Sequence, residues 1–215
     1  LRTPLTLIVN PVKELIGKAE DTLKHELNII YRNASRLLTL VDQLMLFRTA
    51  VNENSKIQIN ELNLYPLCKE TYESYSKIAE SKNIRYEFEC TNQELKIFGD
   101  YEKLEIIFFN LISNAFKFTP PNGSILFKVL ENESDIEIFI NDTGCGIHEN
   151  VKNKLFEKYY QEKDTSRNKE MGFGIGLYLA KQFIDCHKGT LNYSSYPDKG
   201  TSFQIKLNKG MWFDA

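Results

Sequence analysis

The sequence predicts an α+β protein in two parts, an N-terminal antiparallel helical hairpin followed by an α/β sandwich. Three observations predict it. Over residues 1–48, apolar residues recur at steps of three and four: Leu1, Leu5, Ile8, Val12 and Leu15, then Leu27, Ile30, Ala34, Leu37, Val41 and Leu44. Those are the seams of helices that pair. Beyond residue 57 the period switches repeatedly between two, for strands, and 3.6, for helices. Between the two regimes lies TAVNENSK (49–56), polar and without periodicity, which reads as a linker. The expected domains are therefore 1–50, a helical hairpin, and 51–215, a sandwich.

The first helix ends at the polar break GKAEDT, and the second begins after it. Tyr31, Leu38 and Met45 form a further row that widens the apolar face of the second helix. Two helices joined by a short loop make an αα-hairpin. One hairpin cannot bury two wide stripes, so the expected assembly is a homodimeric four-helix bundle through residues 1–48. The alternative is a helical pair packed on the rest of the same chain. Pro4 suits a first helical turn. Pro11 falls in the interior, where its ring removes a backbone donor and bends or loosens the helix.

The sandwich elements follow in order. IQINEL (57–62) alternates as a strand, and 64–81 is helical. IRYEFEC (84–90) and 95–98 read as strands, and 100–117 as a strong amphipathic helix. Strands at 124–130 and 135–141 flank the turn ENES. A glycine-bearing loop at 142–147 leads to a short helix near 149–156. Residues 160–173 form a long polar connection. A helix spans 174–187, and strands near 189–195 and 201–207 meet at a turn with Pro197, Asp198 and Gly200. Mixed strands and helices around one sheet give the sandwich.

Composition narrows the function. The 215 residues are 42% hydrophobic and 26% charged, enough to bury a core. A formal net charge of −2 provides no broad basic field, so nucleic acid is not an expected partner. No apolar run approaches about 18 residues, so no membrane span is expected here. Cys68, Cys90, Cys145 and Cys186 are irregularly spaced, with no CxxC pair or Cys/His cluster. They read as reduced thiols of a cytosolic domain, not a zinc site.

Three stretches suit a nucleotide. In NLISNAFKFTP (110–120), Asn110, Asn114 and Lys117 share one helix face, while Leu111, Ala115 and Phe118 lie beside them. Two amide oxygens and an ammonium suit a magnesium–phosphate site, since Mg²⁺ takes hard oxygen ligands and lysine neutralises phosphate. The plainer alternative is a solvated polar face. In DTGCGI (142–147), glycines allow a tight turn and close ligand approach. Asp142 could accept an adenine amino group while the ring packs on Ile147; a β-turn with an Asx cap is the alternative. GFGIGL (172–177) resembles a dinucleotide loop, but it follows a polar loop instead of a strand, and its third glycine is one residue early. It fits a flexible loop entering a helix whose N-terminus attracts phosphate.

The order and spacing of these stretches resemble the two-component sensor histidine kinases. NLISNAFKFTP matches the N box and DTGCGI the first glycine box. LFEKYY (155–160) matches the F box, GFGIGL the second glycine box, and KGTSF (199–203) the last glycine-containing strand. Residues 1–48 look like the dimerisation and histidine-phosphotransfer hairpin. The resemblance covers nearly the whole chain and implies an ATP-binding domain of the Bergerat type.

By that resemblance Asn110 is a Mg²⁺ ligand, and Asn114 and Lys117 contact phosphate or metal. Asp142 reads adenine, and Gly144 and Gly146 shape the pocket floor with Ile147. Phe156 anchors the near end of a lid, and Gly172, Gly174 and Gly176 form its far hinge. Arg167 is a basic lid residue that reaches the terminal phosphate. Tyr159 or Tyr160, with Leu177 and Thr201, lines the nucleotide. The implied cofactors are ATP and Mg²⁺. The implied activity is γ-phosphoryl transfer from ATP to a histidine, then to a response-regulator aspartate.

The chain opens LRTPLT, which matches the last positions of the family's His-Glu-x-x-Thr-Pro signature. The implied acceptor His lies two positions before Leu1, absent from the chain. His25, His148 and His187 precede no such run and are expected to be surface or capping residues. Thr3 would lie one turn after the acceptor, where the family uses a hydroxyl to orient water for dephosphorylation of the regulator. The expected location is the cytoplasm, as the intracellular portion of a membrane-bound sensor, and a receiver domain could follow Ala215. Two alternatives remain: another Bergerat-fold ATPase, with Glu102 and Glu105 as water-activating candidates, and a dimeric module that binds nucleotide without turnover.

Overall fold

A computed structural model of the chain describes residues 2–19, 23–31, 33, 34, 37, 57–160 and 174–210. The chain divides into two compact units, Leu1–Ser55 and Lys56–Ala215.

In the first unit, helix α1 spans Arg2–Lys18 and runs through Pro11. A second helix, α2, includes residues 23–31. Leu7, Ile8 and Leu15 on α1, and Leu23, Ile29 and Ile30 on α2, are all exposed. Among the described residues of this unit, these apolar side chains stay exposed.

The second unit is built around a five-stranded sheet of order β2-β4-β5-β7-β6. Its strands are β2 (Arg85–Cys90), β4 (Ser124–Glu131), β5 (Asp135–Asp142), β6 (Thr190–Tyr196) and β7 (Gly200–Asn208). Among the described residues, only the β2–β4 pair is parallel. A separate antiparallel pair joins β1 (Asn60–Asn63) to β3 (Lys96–Gly99). The helices are α3 (Leu64–Lys82), α4 (Tyr101–Phe118) and α5 (Gly176–Cys186).

Alternation in the strands decides which face is covered. Ile125, Phe127 and Val129 on β4, and Ile136, Ile138 and Ile140 on β5, are buried every second residue. Leu104, Ile107, Phe108, Leu111, Ile112 and Ala115 of α4 are buried at helical spacing. The Phe108 and Phe127 rings meet at 5.8 Å, which ties α4 to the sheet. Each such apolar side chain contributes about 1.5–3 kcal/mol on burial. Leu179, Ala180, Phe183 and Ile184 give α5 a matching inner face, and α5 packs alongside α4.

Short polar side chains set the helix starts. Asn63 Oδ1 accepts the Tyr65 N–H at 3.0 Å and caps α3. Asp100 Oδ1 accepts the Lys103 N–H at 3.2 Å and caps α4. Both satisfy donors that a helix start leaves orphaned.

One expectation needs correction. The strand expected over 57–62 begins at Asn60 and ends at Asn63. Its pairing starts at Asn60↔Gly99, and the N–H of Gln58 goes instead to Asp100 Oδ2 at 2.9 Å. Alternation could not reveal that competing acceptor. His187 is the C-cap of α5, one of the two roles expected of it, and it is buried at only 1% exposure. The short helix expected near 149–156 is present as a 3-10 helix, Glu149–Lys154, followed by turns.

Candidate functional site

The site is organised by α4. Asn110, Asn114 and Lys117 are half-buried on that helix. The Asn110 amide donates from Nδ2 to Ile106 O at 2.8 Å, which fixes its rotamer and leaves Oδ1 facing away from its own helix. That oxygen abuts the second glycine stretch: a Cβ on Gly176 would lie 2.7 Å from Asn110 Oδ1. The Lys117 ammonium lies 4.9 Å from the centre of the Phe118 ring.

The first glycine stretch meets the C-terminal end of α4. A Cβ on Gly144 would lie 2.7 Å from Phe118 O. Asp142, the last residue of β5, accepts two backbone N–H groups on Oδ1, from Gly144 at 2.8 Å and Thr201 at 3.3 Å. Burial pushes the Asp142 carboxyl up to about 6, against the pull of the Gly144 and Thr201 N–H groups. The carboxylate is therefore held in place by two N–H groups, with its proton affinity raised by burial. Ile147 is half-buried beyond the turn.

The β6–β7 turn clamps this loop. Gly146 has φ +72°, and a Cβ there would lie 2.1 Å from Tyr196 O. Gly200 has φ +89°, and a Cβ there would lie 1.9 Å from Asp142 O. Both positions combine a left-handed backbone with a contact only glycine allows. The Asp198 N–H donates to Cys145 O at 2.8 Å across the same junction.

The feet of the long polar connection also meet. The Tyr159 N–H donates to Gly174 O at 3.0 Å. Tyr159 is an exposed residue with φ +61°. Phe156 packs edge-on against Tyr193 of β6, with ring centres 5.9 Å apart. Leu177 is half-buried at the start of α5, and Thr201 is buried on β7. Arg167 and Gly172 lie outside the described residues, as does the Thr3 side chain.

Sequence reasoning missed Ser195. It is a buried residue of β6 that bonds both the Ile147 loop and the Gly200 turn. The available signal was its place in the inward row Leu191, Tyr193, Ser195, where an apolar residue was due. Gly200 was read as a turn residue and as part of the KGTSF strand, not as a site residue, although its close approach to Asp142 makes it part of the site.

The mixed sheet, its helical layer and the convergence of two glycine stretches on α4 define an ATP-binding domain. The chain belongs to the histidine kinase-, DNA gyrase B-, and HSP90-like ATPases, whose family profile matches residues 99–211. Within that family it is of the two-component sensor histidine kinase kind. It is similar to Histidine kinase P4 of Formosa agariphila, 36% identical over 214 residues, which cover 97% of this chain and 16% of that protein. The chain thus spans about a sixth of that relative's length. Among solved structures, it is similar to the catalytic domain of histidine kinase ThkA, at 25% identity and a TM-score of 0.63, covering 71% of this chain and 98% of that one. ThkA in complex with response regulator protein TrrA shares the fold at 24% identity and a TM-score of 0.68, covering 97% and 58%. So does full-length ShkA in complex with AMPPNP, at 20% and 0.76, covering 96% and 43%.

Proposed function

We propose that the chain is the catalytic core of a sensor histidine kinase, with 1–50 as its dimerisation and phosphotransfer hairpin and 51–215 as its catalytic domain. ATP binds the second unit, and its γ-phosphoryl group passes to a histidine two positions before Leu1. In that step the bond from the γ-phosphorus to the ADP oxygen breaks, a P–N bond forms, and the imidazole loses its proton. The phosphoryl group then passes to an aspartate of a response regulator. The ThkA–TrrA complex supports a partner of that class.

The observation that carries the reading is the convergence on α4. Gly176 closes on Asn110 Oδ1 at the middle of the helix, and Gly144 closes on Phe118 O at its C-terminal end. A space that any Cβ would obstruct, bordered by a fixed amide oxygen, fits a phosphate-bound cation. Asn110 would hold Mg²⁺, and the ion when bound would neutralise charge on the phosphates. Asn114 and Lys117 would contact phosphate oxygens. Asp142 would accept the adenine amino group, with Ile147, Leu177, Thr201 and Tyr159 around the base and ribose. Arg167 would reach the terminal phosphate, and Gly172, Gly174 and Gly176 would let the lid move. Such a transfer depends mainly on positioning and charge neutralisation. Thr3 would orient water in the reverse reaction.

His187 is unsuited as an acceptor, because both ring nitrogens are engaged. No described helix is long and apolar enough to cross a membrane. The expected working place is the cytoplasm, where ATP and the response regulator are found.

Calorimetry with Mg-AMPPNP on the wild type and Asp142→Asn tests the site. The expected result is wild-type binding that weakens at least about tenfold in the variant, the worth of one charge-assisted hydrogen bond. Equal binding would overturn the adenine contact. A chain extended upstream of Leu1 is expected to gain an acid-labile phosphate from labelled ATP, and lack of labelling would overturn the kinase reading.

A further inference from the structure

We propose that Ser195 is the positioning residue that sets the adenine selectivity of Asp142. This rests on the reading of Asp142 given above.

Ser195 lies on β6, opposite Thr201 of β7. Its neighbours on the inward face, Leu191 and Tyr193, are apolar or aromatic, yet Ser195 is buried at 5% exposure. A small hydroxyl in an apolar row costs burial free energy unless its bonds are satisfied. Here all of them are. Oγ accepts the Ile147 N–H at 2.9 Å, lies 2.9 Å from Gly200 O, and lies 3.0 Å from Thr201 Oγ1. A serine hydroxyl has one donor and two acceptor sites. The consistent assignment is donation to Gly200 O and acceptance from Ile147 N–H and Thr201 O–H.

The Gly200 carbonyl and the Thr201 N–H belong to one planar peptide unit and point in opposite directions. Ser195 holds the carbonyl side of that plane. The N–H side points at Asp142 Oδ1, at 3.3 Å. Pinning one end therefore aims the other. The same hydroxyl fixes the peptide N–H of Ile147, the apolar residue expected beneath the base. One buried oxygen thus sets both the polar and the apolar element of base recognition without reaching the ligand. Gly200 has no side chain of its own to restrain that plane, and the Ser195 hydroxyl on its carbonyl does so instead.

The test compares ADP with inosine diphosphate, which lacks the adenine amino group, against the wild type, Ser195→Ala, Ser195→Cys and Ser195→Thr. The wild type is expected to prefer ADP. Ser195→Ala and Ser195→Cys are expected to cut that preference about fivefold, as loss of one net hydrogen bond would. Ser195→Thr keeps the hydroxyl and is expected to restore it. Ser195→Cys preserves the size of the residue, so it gives an answer even if Ser195→Ala folds poorly. A role in packing alone would lower the melting temperature and leave the ADP-to-inosine-diphosphate ratio unchanged. That result in a wild type that does discriminate overturns the proposal by itself. A wild type without discrimination overturns the Asp142 reading, and this inference with it.

Discussion

His187 Nε2 accepts the backbone N–H of Asp100 at 3.0 Å, while its Nδ1 lies 2.6 Å from Phe183 O. This requires the neutral ring with its proton on Nδ1. The imidazole joins the end of α5 to the start of α4. Asp100 in turn takes the Gln58 N–H, the Lys103 N–H and the Lys103 ammonium, the last at 2.7 Å. Burial alone would raise the Asp100 carboxyl, but the Lys103 ammonium and the two N–H groups hold it below its usual 3.8.

His187→Phe keeps the volume and removes the acceptor, leaving the Asp100 N–H unpaired in the interior. The expected loss is about 1–3 kcal/mol of unfolding free energy in urea, with part recovered in His187→Gln. Burial lowers the His187 pKa from the ordinary 6.5, and the charge of Lys103 lowers it further, against the Phe183 bond and Asp100. The folded state therefore binds this proton less readily than the unfolded chain. The stabilisation is full above about 6.5 and is lost as pH falls through the depressed folded value. The gap between wild type and His187→Phe is expected to narrow from pH 7.5 to pH 5. A gap independent of pH would overturn the assigned ring state.

These residues show where the sequence was legible. Alternation in SILFKVLE and DIEIFIND marks β4 and β5, because Ile125, Phe127 and Val129 on one and Ile136, Ile138 and Ile140 on the other fill every second position up to the polar strand ends. The Asn110, Asn114 and Lys117 row is visible because a helix has a fixed period. His187 and Ser195 were not legible. Each is a polar residue made structural by a partner far along the chain, Asp100 in one case and Ile147 in the other. Pairings over such separations leave no local period to read.

Asp142 predicts a pH-dependent preference for adenine. Its carboxyl, pushed up to about 6 by burial, must be ionised to accept the amino group well. The ADP-to-inosine-diphosphate affinity ratio is expected to be constant above pH 7 and to fall as pH drops through 6. Both ligands carry the same phosphates, so phosphate titration cancels in the ratio. Nucleotide binding to the ionised form should also lower the Asp142 pKa, which proton-linked calorimetry in two buffers would record as proton release near pH 6. A flat ratio between pH 5 and pH 8 would sink this role.

Gly176→Ala separates stability from binding. Alanine is the better helix former by about 1 kcal/mol in a helix interior, and Gly176 opens α5. The added methyl, however, would stand 2.7 Å from Asn110 Oδ1. The Asn110 amide cannot swing away without breaking its bond to Ile106 O. Stability is expected to stay level or fall slightly, the strained amide offsetting any gain in helix propensity, while the gain in AMPPNP affinity on adding Mg²⁺ falls at least about tenfold, the equivalent of about 1.4 kcal/mol. Unchanged magnesium dependence would remove Asn110 from the metal site.

The first unit predicts association. Leu7, Ile8, Leu15, Leu23, Ile29, Ile30 and Leu37 are 45–69% exposed in a single chain. Each leaves a large part of about 1.5–3 kcal/mol of burial free energy unrealised. A second copy of the same hairpin supplies a matching apolar stripe, and the a/d spacing is the one helices use to interlock. Sedimentation equilibrium at tens of micromolar is expected to give a dimer for the wild type and a monomer for the Leu15→Glu, Ile30→Glu double variant. Both substitutions lie outside the ATP-binding unit, so AMPPNP affinity should survive in the monomer. A wild type that stays monomeric would overturn the bundle, and a double variant that loses nucleotide binding would show that the two units depend on one another.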